Sequence, residues 1–292
     1  MIYNHDMDSF IISNMTYSFS RISSFYNCPY EWRSVYIDCE SRDGSAMAQF
    51  GSLIHKILEM YFKGELDFFE LTDYYEKNFD NFVTYEFPAN PHVSLYNKYY
   101  QAGIEYLDNF TFDFKKYEVL GIEKRVTFNI GNYDFVGCID LLLGDKVTGE
   151  IIILDHKSAS IGILKSGKIA KKDREHFEDF KRQLYLYSIP IIEEYGKVDK
   201  LKWNLFKEQK FIEIPWKEDE YNESIRWAEQ TIKNIENETE WNINKEMIEA
   251  QEQGKYPPFY CMNLCSQRFR CGFRNEYLEQ LKENKIGKEE FL

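Results

Sequence analysis

The sequence predicts an α/β (α+β) chain, with a central β-sheet flanked by helices. Three observations predict it. Residues 117–130 and 133–143 read as strands joined at the turn signal Gly131-Asn132. A β-branched run, Ile151-Ile-Ile-Leu154, suits a sheet interior. Around these stretches apolar residues recur at helical spacing, most clearly Phe50, Leu53, Ile54, Ile57, Leu58, Tyr61 and Phe62.

The chain has 292 residues, enough for one large core or two small ones. Its 22 Tyr and 23 Phe are too many for a disordered chain. No apolar run approaches a membrane span, and the first residues carry no basic region or signal-peptide core. The expected location is therefore cytoplasmic, with no membrane partner. The net charge of −13 excludes broad non-specific coating of nucleic acid but permits a local basic groove. In a reducing compartment the six cysteines point to metal ligands or buried thiols rather than disulfides.

Taken in order, residues 1–17 read as a loose or edge-pairing leader. A helical pattern begins at Ser20, with Ser18 or Ser20 as its cap, and Cys28-Pro29 marks a helix junction. Residues 46–63 form the next helix, closed by Gly64. Two aromatic-rich helices follow at 66–83 and 93–113, then the strands. A Gly/Ser/Lys segment fills 159–172, and a helix covers about 173–188, where Pro190 ends or kinks it. Strands at 200–207 and 210–215 precede a charged helix at 217–252 and a last helix near 275–285.

The strand 150–157 ends in Asp155-His156-Lys157. Side chains alternate, so Asp155 and Lys157 share a face and His156 takes the other. Asp140 lies on the preceding strand. Acids and an ammonium at an apolar strand end are costly to bury unless something binds them. They form a candidate site for a hard divalent cation and a phosphodiester, or else a salt bridge at a strand end. His55, on the 46–63 helix, joins such a site only if that helix packs over this end of the sheet. Gln183 and Tyr187 stand one helical turn apart and offer neutral polar groups for phosphate or base contacts. Lys165, Lys168, Lys171, Lys172 and Arg174 make a basic run suited to guiding a strand. Gly162 to Lys168 nearly spells a phosphate-binding loop, but Ile169 stands where Ser or Thr is required, so ATP hydrolysis is not expected.

Cys261, Cys265 and Cys271 place three thiols within eleven residues. A four-ligand site needs a fourth from afar. Cys28 is the natural candidate, Cys39 stays open, and Cys138 reads as core. Zinc or an iron–sulfur cluster satisfies the count.

Together these pieces resemble the RecB-type branch of the PD-(D/E)XK nuclease superfamily. The likeness is to members with an iron–sulfur cluster, such as the AddB nuclease domain and the CRISPR-associated RecB-like exonucleases. Five motifs occur in the family's order: the opening helix with Cys28, Gly51 to Glu59 with His55, Gly137 to Asp140 with Asp155 to Lys157, Gln183 to Tyr187, and the three C-terminal cysteines. One departure is the three residues between Cys261 and Cys265, where the family has two. The resemblance implies a restriction-endonuclease-like mixed sheet in a single nuclease domain over 1–292. In it, 46–115 is the helical part, 116–216 the catalytic sheet core, and 1–45 and 255–292 are joined by a cysteine-bound 4Fe–4S cluster on Cys28, Cys261, Cys265 and Cys271. It implies Mg²⁺ or Mn²⁺ held by His55, Asp140, Asp155 and the His156 carbonyl, with Lys157, Gln183 and Tyr187 completing the catalytic set. The implied activity is a deoxyribonuclease, an exonuclease on single-stranded DNA or DNA ends. Its implied settings are repair, recombination, or phage or mobile-element processing, with any helicase or CRISPR-type partner a separate chain. A non-catalytic subunit keeping fold and cluster is the rival reading, and a zinc-stabilised protein of unrelated chemistry is another.

Overall fold

The computed structural model describes residues 5–164 and 166–289. It divides into two compact units, residues 46–228 and residues 1–45 with 229–292.

The larger unit holds a five-stranded sheet: β1 (Tyr117–Ile130), β2 (Tyr133–Asp145), β3 (Ile151–Lys157), β4 (Lys200–Leu205) and β5 (Lys210–Pro215), side by side in chain order. Hairpins make the β1–β2, β2–β3 and β4–β5 pairs antiparallel. The β3–β4 pair is parallel because a long helix carries the chain between them, so the sheet is mixed. This is the helix-flanked mixed sheet of the restriction-endonuclease-like fold expected above.

Before the sheet come α4 (Ala46–Phe62), α5 (Leu71–Phe82) and α6 (Leu95–Asp108). Their apolar stripes meet in one core that includes Phe50, Leu53, Ile57, Tyr75 and Phe79, all at most 1 % exposed. One sheet face, with Leu141, Leu143, Ile152 and Leu154, packs on Phe62 and Phe112.

The crossover is α7 (Arg174–Tyr195). It runs through Pro190, where the sequence suggests an end or a kink. A mid-helix proline costs about 3 kcal/mol. Burial offsets this: Leu186, Ile189 and Ile191 are 0, 9 and 0 % exposed, and each aliphatic side chain contributes roughly 1.5–3 kcal/mol when buried. The helix stops instead at Gly196, whose φ of 78° supplies the left-handed cap.

Within the smaller unit, residues 5–13 form a helix, α1 (His5–Ser13), not a loose leader. Asp8 ties it down through Arg33 at 2.6 Å, and Ile12 is buried. Ser18 caps α2 (Phe19–Asn27), and Cys28 is both its C-cap and the N-cap of α3 (Pro29–Tyr36). The single helix expected over 217–252 is two, α8 (Glu218–Glu236), of which only residues from 229 on belong to this unit, and α9 (Lys245–Glu252). The Glu238 carboxylate accepts from the amides of 239, 240 and 241, and Trp241 takes a left-handed φ of 51°. The gain is burial of Trp241, stacked on Trp32 at 5.6 Å. A short π-helical turn (Tyr260–Leu264) and α10 (Gly272–Glu289) complete this unit. No described helix is long and apolar enough to cross a membrane.

Candidate active site

Leu142 stands opposite Ile153 on the adjacent strand. Residues two along share a face, so Asp140 and Asp155 project together and Lys157 follows on the same side. Helix α7 covers that face, where Phe177 packs on Trp203 at 5.0 Å. It brings Gln183 to the acids. Lys157 Nζ donates to Gln183 Oε1 at 2.8 Å, and Gln183 Nε2 donates to Asp155 Oδ1 at 3.3 Å. Lys157 Nζ also lies 2.8 Å from the buried Asp155 Oδ2 as an ion pair.

His55 reaches the site because the apolar stripe of α4 is pressed into the core, which turns the polar edge of the helix toward the end of β3. Its Nε2 is 2.8 Å from the carbonyl oxygen of His156. Burial lowers the His55 pKa, so the neutral ring donates through Nε2 and keeps its lone pair at Nδ1. Nδ1 is 3.6 Å from Asp140 Oδ2, which also accepts the His156 amide at 2.7 Å. Burial first, and Asp155 second, push the Asp140 carboxyl well above the usual carboxylate range. The His156 ring points to the opposite face. It is buried neutral, with Nδ1 2.9 Å from Asn204 Nδ2, which also donates to the Tyr106 hydroxyl at 2.6 Å.

A further acid stands here that the sequence reading did not select. Ligand atoms of His55, Glu123 and Asp140 lie within 4.8 Å of one another. Glu123 sits on β1 with φ 45°, a left-handed backbone rare for a residue with a side chain. The pairing of β1 with β2 slips between Val119 and Gly121. Such irregularities re-aim side chains, and nothing in the alternation of a strand reveals them. The only signal was an acid two residues after a strand glycine.

His55, Glu123, Asp140, Asp155, Lys157 and Gln183 line one cavity of about 570 Å³. Tyr187 is not among its lining residues. It is buried beside Gln183, and burial pushes its phenol up to about 12. Gly137 makes its position possible, since a Cβ there would fall 2.5 Å from Tyr187 Cε1. Gly137→Ala is expected to cost about 1–3 kcal/mol as the ring is displaced, read as a lower denaturation midpoint. Lys168, Lys171, Lys172 and Arg174 are exposed and do not line the cavity, and Lys165 lies outside the described residues.

The donor set suits a hard divalent cation: carboxylate oxygens and one imidazole nitrogen. The raised Asp140 pKa has a pH consequence. Its proton is bound more tightly in the folded, ion-free protein than in the unfolded chain, so this contribution to stability is complete below the ordinary carboxylate pKa of about 3.9 and lost as pH rises through the raised value. An ion must displace that proton, so affinity for Mg²⁺ or Mn²⁺ is expected to rise with pH over the same window. Calorimetric titration at stepped pH measures it; a pH-independent affinity with no proton release contradicts it.

In the smaller unit, Cys28, Cys261 and Cys265 are buried and Cys271 is half-buried. Cys28 is electrostatically coupled to Cys271, Cys261 to Cys28 and Cys271, and Cys265 to Cys28 and Cys261, so the four thiols are neighbours. Amides are directed at the sulfurs: Glu31 N–H to Cys28 Sγ at 3.4 Å, Gln267 N–H to Cys265 Sγ at 3.3 Å, and the amides of Phe273 and Arg274 to Cys271. Burial pushes Cys28 up to about 11 and Cys261 up to about 12, and raises Cys265 and Cys271 as well. Amide donors favour thiolates and burial without a cation disfavours them, an arrangement that suits a cationic centre. Cys39 is exposed, and the Cys138 thiol donates to Glu123 Oε2 at 3.3 Å.

The sequence profile of the PD-(D/E)XK nuclease superfamily matches residues 16–272. The chain belongs to that superfamily. Asp140 followed by Asp155-His156-Lys157 reads as the D…(D/E)XK string of its name, with Ile139 in place of the proline. Membership in this nuclease superfamily carries a nuclease function and the divalent-metal chemistry for which the acidic site is the candidate. Among solved structures, a candidate exonuclease from Eubacterium rectale is 13% identical, with 92% of this chain and 96% of that one covered, at a TM-score of 0.49. No curated protein matches the chain as a relative.

Proposed function

We propose that this superfamily member is an Mg²⁺- or Mn²⁺-dependent deoxyribonuclease of the RecB type, an exonuclease on single-stranded DNA or DNA ends. The observation that carries the reading is the meeting of His55, Glu123, Asp140, Asp155 and Lys157 at one cavity. Asp140, Glu123, His55, Asp155 and the His156 carbonyl would hold the ion. A divalent ion there supplies Lewis acidity to a phosphate oxygen and acidifies water. Lys157 orients the attacking water and offsets charge that develops on the phosphorus oxygens. Gln183 holds the Lys157 ammonium and the Asp155 carboxylate in register, and Tyr187 packs behind it. The exposed Lys168, Lys171, Lys172 and Arg174 guide the strand, together with Lys165.

Cys28, Cys261, Cys265 and Cys271 hold a 4Fe–4S cluster with a structural role in this reading. Four thiolates satisfy zinc as well as an iron–sulfur cluster, and metal analysis separates the two. The reading suits repair, recombination, or phage or mobile-element DNA processing, with a helicase or CRISPR-type partner as a separate chain.

Incubation with Mg²⁺ or Mn²⁺ and end-labelled single- and double-stranded DNA tests the activity. Products shortened from the ends support it, and an intact label under every condition rejects it. Glu123→Gln is expected to weaken ion binding by about 10–100-fold, the usual effect of losing a ligand or its immediate support. An unchanged affinity by titration removes Glu123 from the ion site.

A further inference from the structure

The smaller unit contains a second cavity, of about 220 Å³, lined by Ser20, Ser24, Glu31, Trp32, Tyr36 and Arg42 among others. It is built from α2, α3, the stretch after them, and Ser266, which follows Cys265. Its lining sets hydrogen-bond donors beside one carboxylate, Glu31. The Arg42 guanidinium lies 4.9 Å from the centre of the Tyr36 ring, and the Arg21 guanidinium lies 4.6 Å from the same ring. Among the described residues neither arginine has a carboxylate within ion-pair distance, although the chain carries thirteen more acids than bases. Arg21 spends one terminal nitrogen on the Thr16 carbonyl, while its buried Nε has no acceptor. The indole Nε1 of Trp32, a residue that is 0 % exposed and lines the cavity, has none either.

The one carboxylate at the cavity is already engaged. Glu31 Oε1 accepts from the Ser266 amide and hydroxyl, both at 2.7 Å, and Oε2 accepts from the Tyr260 hydroxyl at 2.5 Å. Buried donors without acceptors are costly, and the Arg42 guanidinium, stacked on Tyr36 at the cavity, is pre-organised to present its fork to an oxyanion. The volume is below the roughly 300–1,000 Å³ of ordinary small-molecule sites. It suits one phosphate of a longer chain, with the rest outside.

We infer that this cavity is a phosphodiester-binding site that grips a single DNA strand through Arg42 and the Trp32 indole, apart from the cleavage site. The inference rests on the DNA-processing reading above and adds to it a named point of strand contact. Arg42 is the exposed, replaceable element, because none of the backbone hydrogen bonds around it depends on its side chain. Each phosphate neutralised on a single strand contributes about 0.7 to the salt dependence of binding, or about fivefold in affinity at 0.1 M salt.

The test is binding of a fluorescent oligothymidylate to the full chain in EDTA, where cleavage plays no part, as a function of salt. Arg42→Ala is expected to weaken binding about fivefold and to lower the salt slope by about 0.7. Arg42→Glu is expected to weaken it further, and Trp32→Phe, which keeps the ring and removes the donor, to weaken it at constant slope. Circular dichroism of each variant confirms the fold. Wild-type affinity and slope in Arg42→Glu overturn the proposal. So does displacement of nothing but inorganic phosphate, which marks a free-phosphate site. Cleavage by the wild-type protein in Mg²⁺ is read separately. A chain that binds through Arg42 yet cuts nothing refutes the nuclease reading alone, and one that cuts but ignores Arg42 refutes this site alone.

Discussion

Lys157→Ala and Asp155→Ala are each expected to lower DNA cleavage on the order of 10²–10⁴-fold, the range for a lost acid–base or charge-stabilising group. The two should differ in how they fail. Lys157 touches Asp155 and Gln183 and belongs to no candidate ligand set, so its loss should leave ion affinity nearly intact while the rate collapses. Asp155 lines the cavity with the candidate ligands and is the main charge that raises Asp140 after burial itself. Its removal should weaken ion binding as well, and should bring the Asp140 carboxyl down toward its ordinary range. Lys157→Ala also strands a buried carboxylate, and breaking a buried pair costs about 3–5 kcal/mol. Lys157→Ala should therefore melt lower than Asp155→Ala when ion-free and recover when Mg²⁺ is added. Rates on end-labelled DNA, calorimetric titration of Mn²⁺ and paired melting curves measure the three effects. Cleavage at the wild-type rate in either variant would falsify the assignment of these residues.

Cys265→Ser is expected to abolish the brown iron–sulfur absorbance of anaerobically purified protein and to cut the soluble yield sharply. The reason lies in the packing of the smaller unit. Cys28 joins α2 to α3, while Cys261 belongs to the cluster of Met247 and Tyr277 on α9 and α10. One group bound by Cys28, Cys261, Cys265 and Cys271 would therefore tie four elements together. The free energy of such a centre is folding free energy, since no site pre-exists in the unfolded chain. Metal analysis decides its nature: iron with inorganic sulfide supports the cluster, and stoichiometric zinc without iron overturns it. Cys39→Ser, at an exposed thiol, should leave absorbance and yield unchanged.

The strands and helices with a local cause could be read directly. The hairpin at Gly131-Asn132, the run of Ile151 to Leu154 and the stripe of α4 follow from periods of 2 and 3.6 residues, which neighbours in the chain already display. The same holds for the helix junction at Cys28, since proline is favoured at a first helical position and interrupts the helix before it. Alternation also decided that Asp155 and Lys157 face one way and His156 the other. By itself, however, the string Asp155-His156-Lys157 could not separate a salt bridge from a metal site.

What tertiary structure decided was everything that depends on residues far apart. The continuation of α7 past Pro190 rests on side chains buried against a distant sheet. The break between α8 and α9 rests on Trp241 finding Trp32 some two hundred positions earlier. Glu123 enters the site through a left-handed backbone at an irregular strand pairing, and the cavity of Ser24, Trp32, Tyr36 and Arg42 exists only once α2 and α3 are folded together. Periodicity is a local quantity, so it determines which faces are apolar. Which face meets which, and which polar groups are stranded without partners when they meet, is set by packing between segments that the sequence keeps apart.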